Sequence, residues 1–276
     1  MTGNTLSGRV IAVTGGAQGI GEATAQALAA QGAKVVIGDL DIDLAKKSAE
    51  AYGGLALPLD VTSRESFAGF LDAVVKEHGR LDGLVNNAGF MVLGRVLETP
   101  LERQLSQIDV NLSGLIVGCY EGASRMQAGG RIVNIASVAG RVPIPGSAVY
   151  NATKAGVLAF SESLDAELRP RDIRVSCVLP SFTNTHLIDG TTATGMTKPI
   201  EPSEVADAVV ASMVKPKLFR VRPRAVAYSA AHWSSMHAAL KPAKRKALGL
   251  ESIFAEHDHA ARASYDERTG GSAAKG

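Results

Sequence analysis

Short apolar segments alternate with longer segments of helical period along most of the chain, and this alternation constrains the fold more than any other feature. The apolar segments are rich in Val, Ile and Leu, which is typical of strands covered on both faces of a sheet. We predict strands at 9–14, 34–39, 55–61, 81–87, 131–137 and 173–179. We predict helices at 19–31, 43–52, 63–78, 102–127, 148–169 and 203–214, with Asp43 and Ser203 as N-caps. Such alternation favours an α/β fold with a doubly wound parallel sheet.

Length and composition favour one globular domain with an added C-terminal segment. The 276 residues are 46% hydrophobic and 20% charged, which is enough for one buried core, although two smaller domains also fit this length. We place the α/β domain at 5–224 and include in it a Gly- and Thr-rich loop at 182–202. A C-terminal extension follows at 225–276, and its last residues are expected to be disordered.

Charge and cysteine content argue against several classes of protein. The formal net charge of +2 provides no field for nucleic acid, and the basic runs at 219–224 and 241–246 are interpreted as solvated surface. Cys119 and Cys177 are too few for a secreted disulfide framework. The sequence has no signal-peptide pattern and no apolar run of membrane-spanning length, so we expect a cytoplasmic protein.

A glycine-rich turn follows the first predicted strand. Residues 14–21 read TGGAQGIG, and Gly15, Gly19 and Gly21 stand where a strand passes into a helix. Glycine allows the backbone to approach a pyrophosphate, and the N-terminus of the following helix attracts phosphate charge. The turn therefore predicts a dinucleotide site, although glycine turns also join strands to helices without any ligand.

An acidic residue ends the second predicted strand. The Asp39 carboxylate can accept hydrogen bonds from ribose hydroxyls and would repel a 2′-phosphate. No Lys or Arg lies in the glycine-rich turn, and none follows Asp39 before Lys46. We therefore expect NAD, with NADP less favoured. The alternative is that Asp39 only caps a loop.

Ser137, Tyr150 and Lys154 have the spacing of a proton-transfer site. Tyr150 and Lys154 are four residues apart on a predicted helix, so they share one face. A nearby ammonium is expected to lower the pKa of the phenol, which would make Tyr150 a general base or acid. Ser137 ends a predicted strand and could bind the substrate oxygen. Alternatively, Tyr150 and Lys154 form an exposed helical pair and Ser137 is a turn residue.

Further motifs lie along the chain with the glycine-rich turn, Asp39 and Ser137. They are Asp60-Val61, NNAG at 86–89, Asn111 and YNATK at 150–154, and the whole set spans about residues 5–215. In this the chain resembles the short-chain dehydrogenase/reductase family, the branch with a single Rossmann domain. The resemblance implies a catalytic tetrad of Asn111, Ser137, Tyr150 and Lys154, with Asn111 distorting its helix and binding a water. It also implies homo-oligomers, either dimers or tetramers.

The resemblance assigns the cofactor as well. Asp60 and Val61 would contact the adenine, Asn87, Ala88 and Gly89 would line the adenosine ribose side, and Lys154 would also hold the nicotinamide ribose. The implied cofactor-binding residues are Gly15, Gln18, Gly19, Ile20, Gly21, Asp39, Leu40, Asp60, Val61, Asn87, Ala88, Gly89, Tyr150, Lys154, Pro180, Thr183 and Thr185.

The chain departs from the family pattern in two regions. Ser181 replaces a usual glycine, which puts the geometry of the substrate loop in question. The extension has Trp233, Met236 and Leu240 at a spacing that suggests one apolar helical face. That face could cover the substrate cleft or join the core, serve subunit association, or lie on a membrane surface. The HDH sequence at 257–259 is interpreted as solvated surface, and no metal site is expected.

These features predict an oxidoreductase that transfers a hydride between NAD and a secondary alcohol or ketone. Apolar residues in 90–97, 138–147 and 182–200 favour an apolar small-molecule substrate, with a steroid, retinoid-like or lipid-derived alcohol as a hypothesis. These residues are Phe90, Met91, Val92, Val142, Ile144, Phe182 and Leu187. Two alternatives stay open: an NADPH-dependent ketone reductase of the 3-oxoacyl type, and a non-catalytic NAD-binding regulatory protein.

Overall fold

A parallel β-sheet forms the centre of the computed structural model, which describes residues 5–191 and 198–270. The sheet has seven strands in the order β3-β2-β1-β4-β5-β6-β7. The strands are β1 (Val10–Thr14), β2 (Lys34–Asp39), β3 (Leu55–Pro58), β4 (Gly83–Asn86), β5 (Arg131–Ile135), β6 (Arg174–Pro180) and β7 (Phe219–Arg222). All neighbouring strands pair in parallel, and the order reverses beside β1. The predicted doubly wound α/β fold, with Rossmann-like topology, is confirmed.

Helices cover both faces of the sheet, and each face has its own buried cluster of apolar side chains. The helices are α1 (Gly19–Ala30), α2 (Ile42–Glu50), α3 (Arg64–His78), α4 (Leu101–Ile108), α5 (Leu115–Arg125), α6 (Ala148–Leu168), α7 (Pro202–Val214), α8 (Arg224–Ser235), α9 (Lys241–Ala247) and α10 (His259–Arg268). This cover explains why the strand sequences are continuously apolar. Among the described helices, none is both long and apolar enough to cross a membrane.

Two of the predicted helix starts were wrong. The side chain that caps α2 belongs to Asp41, which accepts a hydrogen bond from the Leu44 N–H at 3.0 Å, and not to Asp43. Helix α7 begins at Pro202, and its N-cap is Glu201 rather than Ser203. Glu201 and Glu204 satisfy each other's backbone N–H groups in a capping box, an arrangement that stabilises a helix start.

The strand β7 was not predicted, because its arginines suggested solvated surface. Its side chains alternate: Phe219 and Val221 pack against the core, while Arg220 lies on the other face. Arg220 donates hydrogen bonds to the Ser212 hydroxyl at 2.9 Å and to the Ala211 carbonyl at 3.1 Å. The strand is therefore an edge strand, and its Arg220 guanidinium binds the end of α7.

The single helix predicted over 102–127 is interrupted. A π-helical segment, Asp109–Gly114, lies between α4 and α5 and contains Asn111. Such segments insert an extra residue into a helical turn and are frequent at functional sites. The distortion agrees with what the family resemblance implied for Asn111.

The C-terminal extension packs against the body of the domain. Trp233, Leu250 and Phe254 are buried in one cluster with apolar residues of the sheet's carboxyl edge. The predicted apolar face was wrong in detail, because α8 ends at Ser235 and Leu240 is 60% exposed. Parts of two predicted segments, 192–197 of the loop at 182–202 and 271–276 of the disordered end, lie outside the described residues.

The end of α6 is fastened to β6 through a buried carboxylate. The side chain of Asp165 is 1% exposed, accepts a hydrogen bond from the Val175 N–H at 2.9 Å and pairs with Arg169 and Arg174. Burial raises the pKa of Asp165, but the hydrogen bonds from Arg174, Arg169 and Val175 outweigh it, so the pKa is lowered overall. This contact fixes the helix that carries Tyr150 and Lys154.

We expect Asp165→Asn to lower the free energy of unfolding at neutral pH by about 3 kcal/mol, because two arginines lose their buried counter-charge. Since the folded pKa is depressed, the carboxylate's contribution is full above the unfolded value of about 3.9 and is lost as pH falls through the folded pKa. The gap between wild type and variant should therefore narrow in acid. Urea unfolding across pH measures it. The matched control is Asp72→Asn, whose side chain is 67% exposed in its pair with Arg125 and whose loss should have little effect. An unchanged midpoint for Asp165→Asn would contradict the assignment.

Candidate active site

The carboxyl ends of the central strands open into one cleft of about 1130 Å³. This exceeds the roughly 300–1,000 Å³ of a usual small-molecule site, and it leaves room for a dinucleotide beside a substrate. Of the predicted catalytic and cofactor-binding residues, the cleft is lined by Gly15, Gln18, Gly19, Ile20, Asp39, Leu40, Asp60, Val61, Asn87, Ala88, Gly89, Ser137, Tyr150, Lys154, Pro180, Thr183 and Thr185. The two predicted residues that do not line it are Gly21 and Asn111.

The glycine-rich turn has the backbone geometry that the sequence predicted. Gly15 and Gly19 adopt φ of +63° and +61°, in the left-handed region that favours glycine. A Cβ on Gly21 would lie 2.0 Å from the Gly15 carbonyl oxygen, so Gly21 shapes the turn from behind instead of lining the cleft. Gln18 precedes α1 without capping it through its side chain. The start of α1 thus presents backbone N–H groups to the cleft, a geometry that fits phosphate.

Asp39 lies at the end of β2 and holds the glycine-rich turn. Its carboxylate accepts hydrogen bonds from the Ala17 N–H at 3.0 Å and the Asp41 N–H at 3.1 Å. Burial raises its pKa, although these backbone contacts act in the opposite direction. The side chain therefore holds the loop, as the alternative interpretation expected, and it also lines the cleft.

Asn87 joins the turn to the middle of the sheet. Its Nδ2 donates to the carbonyl oxygens of Thr14 at 3.0 Å and Gly15 at 2.9 Å. The Thr14 hydroxyl accepts in return from the N–H groups of Asn87 and Ala88. After β3, at the edge of the sheet, one Asp60 carboxylate oxygen accepts from the Thr62 N–H and hydroxyl. These contacts fix the wall of the cleft on the side of the glycine-rich turn.

Tyr150 and Lys154 face the same part of the cleft. Tyr150 is 7% exposed, and the Lys154 Nζ lies 5.6 Å from the centre of its ring. Lys154 is 4% exposed, and its Nζ donates a hydrogen bond to the Ile135 carbonyl at 2.9 Å. The interpretation as an exposed helical pair is therefore wrong.

Burial disfavours the charged form of both side chains, so it shifts their pKa values in opposite directions. It lowers the pKa of Lys154 to about 8, and it raises the pKa of Tyr150, against a smaller lowering by the Ser137 side chain. The expected lowering of the Tyr150 pKa is thus not present in the chain alone. The phenol is a proton donor in this state, and it becomes a base only when positive charge beside it outweighs desolvation.

Ser137 ends β5 and begins a short 3-10 turn. Its Oγ accepts a hydrogen bond from the Ala139 N–H at 3.1 Å, so it is also the turn residue of the alternative interpretation. The same hydroxyl lines the cleft and contacts the Pro180 carbonyl at 3.4 Å. After β6, the Ser181 N–H donates to the Arg222 carbonyl at 2.8 Å, and Thr183 pairs with Ile200. The loop after β6 is therefore tied to β7 despite the replacement of glycine at 181.

Asn111 lies behind the cleft and shapes its wall. Its Oδ1 accepts from the Phe90 N–H at 2.9 Å, and its Nδ2 donates to the Phe90 carbonyl at 2.8 Å. A Cβ on Gly89 would lie 3.0 Å from the Asn111 Oδ1 and 3.6 Å from the Lys154 Nζ. A side chain at position 89 would therefore press on the Asn111 amide, whereas glycine leaves this space open.

The substrate half of the cleft is apolar. Of the predicted apolar residues, Phe90, Met91, Val142, Ile144, Phe182 and Leu187 line the cleft, whereas Val92 packs behind it. The extension contributes Val226, Leu248, Leu250, Phe254, Tyr265, Arg268, Thr269 and Gly270, which the sequence did not assign to the site. The apolar spacing in the tail suggested a cover over the cleft as one of three alternatives, but it did not identify these residues.

No metal centre accompanies the cleft in the described part of the chain. The rings of His257 and His259 lie 4.3 Å apart, but no group of three or more potential ligands forms among the described residues. The residues of the cleft instead fit a dinucleotide, because a glycine-lined helix start, an acidic residue and a buried lysine follow one another along it.

Known proteins resemble this chain in sequence and in fold. A protein of Mycobacterium tuberculosis named "Probable oxidoreductase EphD" is 35% identical over 253 residues, which are 82% of this chain but 42% of that protein, so this chain spans less than half of its length. Carbonyl reductase family member 4 of Xenopus tropicalis is 36% identical over 217 residues, 75% of this chain and 92% of that protein.

A crystal structure of a short chain dehydrogenase/reductase from Burkholderia phymatum, in complex with NAD, superposes with a TM-score of 0.75. The match covers 82% of this chain and 93% of that one. The two sequences are 22% identical, so the match is evidence for the fold alone. The sequence model of the family described as short chain dehydrogenase matches residues 9–195. With its fold, its motifs and the greater part of its sequence in agreement, the chain belongs to the short-chain dehydrogenase/reductase family.

Proposed function

We propose that this oxidoreductase transfers a hydride between NAD and the carbon of an apolar secondary alcohol or the corresponding ketone. The observation that carries the proposal is that Ser137, Tyr150 and Lys154 share one cleft with the glycine-rich turn and Asp39. The dinucleotide, when bound, supplies the hydride acceptor or donor. The apolar side chains around Phe182 and Leu187 support an apolar substrate.

Each of the three polar side chains has a distinct role in this proposal. Ser137 binds the substrate oxygen through its hydroxyl and holds it beside the phenol. Tyr150 removes the hydroxyl proton during oxidation and returns it during reduction. Lys154 supplies positive charge behind the phenol, and its bond to the Ile135 carbonyl fixes the ammonium there.

The choice of NAD rests on the acidic end of β2. A 2′-phosphate would meet the Asp39 carboxylate in a partly buried environment, where like charges repel more strongly than in water. An NADPH-dependent ketone reductase remains the second candidate, because one relative is named a carbonyl reductase.

Exposed apolar side chains on α4 and α5, among them Leu101, Leu105 and Tyr120, support our expectation of a homo-oligomer.

Tyr150→Phe tests the catalytic role. We expect the turnover of a panel of apolar secondary alcohols to fall about 10²- to 10⁴-fold, because the proton acceptor is lost while the ring still fills its site. The variant should still bind NAD, which thermal shift measures. The matched control is Tyr228→Phe on α8, where the tyrosine is 82% exposed. If the Tyr150 variant turned over the panel as the wild type does, the mechanism would be wrong, and a wild type that binds NAD without any turnover would favour a regulatory protein.

The pH dependence tests Lys154. In the proposed mechanism we expect Tyr150 and Lys154 to titrate as a pair, with the first proton leaving near the pKa of Lys154, about 8. Reduction needs the fully protonated pair, so its rate should fall as pH rises through about 8, whereas oxidation needs the pair with one proton removed and should rise over the same range. Lys154→Met leaves only the phenol, whose pKa burial raises, so both profiles should move to higher pH. Initial rates in both directions measure this, and superimposable profiles would refute the role of Lys154.

Asp39→Asn tests the cofactor preference. We expect the preference for NAD over NADP to fall about five- to tenfold, because one negative charge beside the ribose is removed. Thermal shift with NAD, NADP and neither reports the relative affinities. Asp41→Asn is the control, since Asp41 also lines the cleft but its carboxylate caps α2. A wild type that prefers NADP would contradict the proposal at once.

A further inference from the structure

Helix α10 lies across the cleft and is fixed to both of its walls. The buried Arg262 side chain donates to the Leu187 carbonyl at 3.0 Å and the Asp189 carbonyl at 3.1 Å on one wall, and to the Met91 carbonyl on the other. The Tyr265 hydroxyl accepts from the Met91 N–H at 3.0 Å. These contacts hold one face of the helix, so the position of its last turn is determined.

A second set of contacts fixes that last turn. Arg103 donates to the Asp266 carboxylate at 3.2 Å and to the Thr269 carbonyl at 3.0 Å. Residues 262, 265, 266 and 269 follow the spacing of one helical face, which turns toward the body of the domain. Arg268 lies beside that face and extends to the glycine-rich turn, where its Nη1 donates to the Gln18 Oε1 at 3.3 Å.

The charges around the cleft give Arg268 a particular significance. The cleft-lining residues of the described chain include five carboxylates: Glu22, Asp39, Asp41, Asp60 and Asp189. Among the same lining residues, Lys and Arg are represented only by Lys154 and Arg268. Lys154 is bound to the end of β5, so Arg268 is the cation at the start of α1, where phosphate charge would gather.

We propose that Arg268, supplied by the C-terminal extension, binds the phosphates of the dinucleotide and so completes the cofactor site. This inference rests on the proposed function. A guanidinium group can donate two hydrogen bonds to one phosphate. Arg268 also donates from Nε to the Ser264 carbonyl at 3.3 Å, and it would exchange its bond to Gln18 for charge-assisted ones. Described carboxylates form no ion pair with Arg268, so the exchange breaks none.

Binding measurements test this without any substrate. Trp233 is the only tryptophan of the chain and is buried in the cluster that contains Tyr150, so energy transfer from it to the reduced nicotinamide reports bound NADH. We expect Arg268→Gln to raise the Kd for NADH and for ADP-ribose, measured by competition, about fivefold at low ionic strength. Adenosine, which has no phosphate, should compete equally well with both proteins. The difference in NADH affinity should shrink as salt is added.

Two further variants control for charge and folding. Lys34→Gln removes one positive charge from an exposed position at the amino end of β2, on the opposite edge of the sheet, and should leave the Kd unchanged. Arg268→Lys keeps the charge and should retain most of the affinity. Unchanged NADH binding by Arg268→Gln, an equal loss for adenosine, or a loss confined to NADPH would overturn the inference. A wild type that binds no NADH would instead overturn the proposed function, and this inference with it.

Discussion

The site depends on one buried lysine. Lys154 carries its ammonium into buried surroundings, where the backbone carbonyl of Ile135 accepts a hydrogen bond from it. Desolvation opposes the charge, which is why the pKa of the lysine falls to about 8. A cation held under these conditions interacts strongly with any negative charge that develops nearby, because little water screens it. In the proposed reaction, that negative charge would develop on the Tyr150 oxygen.

Burial therefore acts on Tyr150 in two opposite ways. Without a ligand it raises the pKa of the phenol, and the chain alone holds a proton there. The same exclusion of water strengthens the influence of Lys154 and of any positive charge that a ligand brings. A site built in this way would keep its base inactive until the cleft is filled, which suits a chemistry in which the cofactor has to be present before a proton is removed.

The sequence predicted the parts of the structure that depend on local pattern. Buried strands have an unmistakable apolar composition, and Gly15 and Gly19 stand where the backbone takes a positive φ. Prediction failed where two opposite tendencies competed. The arginines of β7 suggested a solvated loop, although the other face of this edge strand packs on the core. The π-helical segment at Asn111 has no signature in residue spacing. The extension was expected as one possible cover of the cleft, but the residues by which it enters the cleft were not predicted, because they depend on where distant segments meet.

The open carboxyl edge of the sheet explains why the chain needs such an extension. A doubly wound sheet leaves its strand ends and the following loops uncovered, and here those loops present Met91, Phe182 and Leu187. Exposed together they would form an apolar patch in water. The extension covers them with Trp233 and Phe254. This cover also separates backbone carbonyls of the loop after β6 from water, and the buried Arg262 donates hydrogen bonds to them instead. Because the same guanidinium joins the loop after β6 to the loop after β4, neither wall can open without breaking bonds in the other. The width of this apolar end of the cleft is thus set by α10 as much as by the sheet.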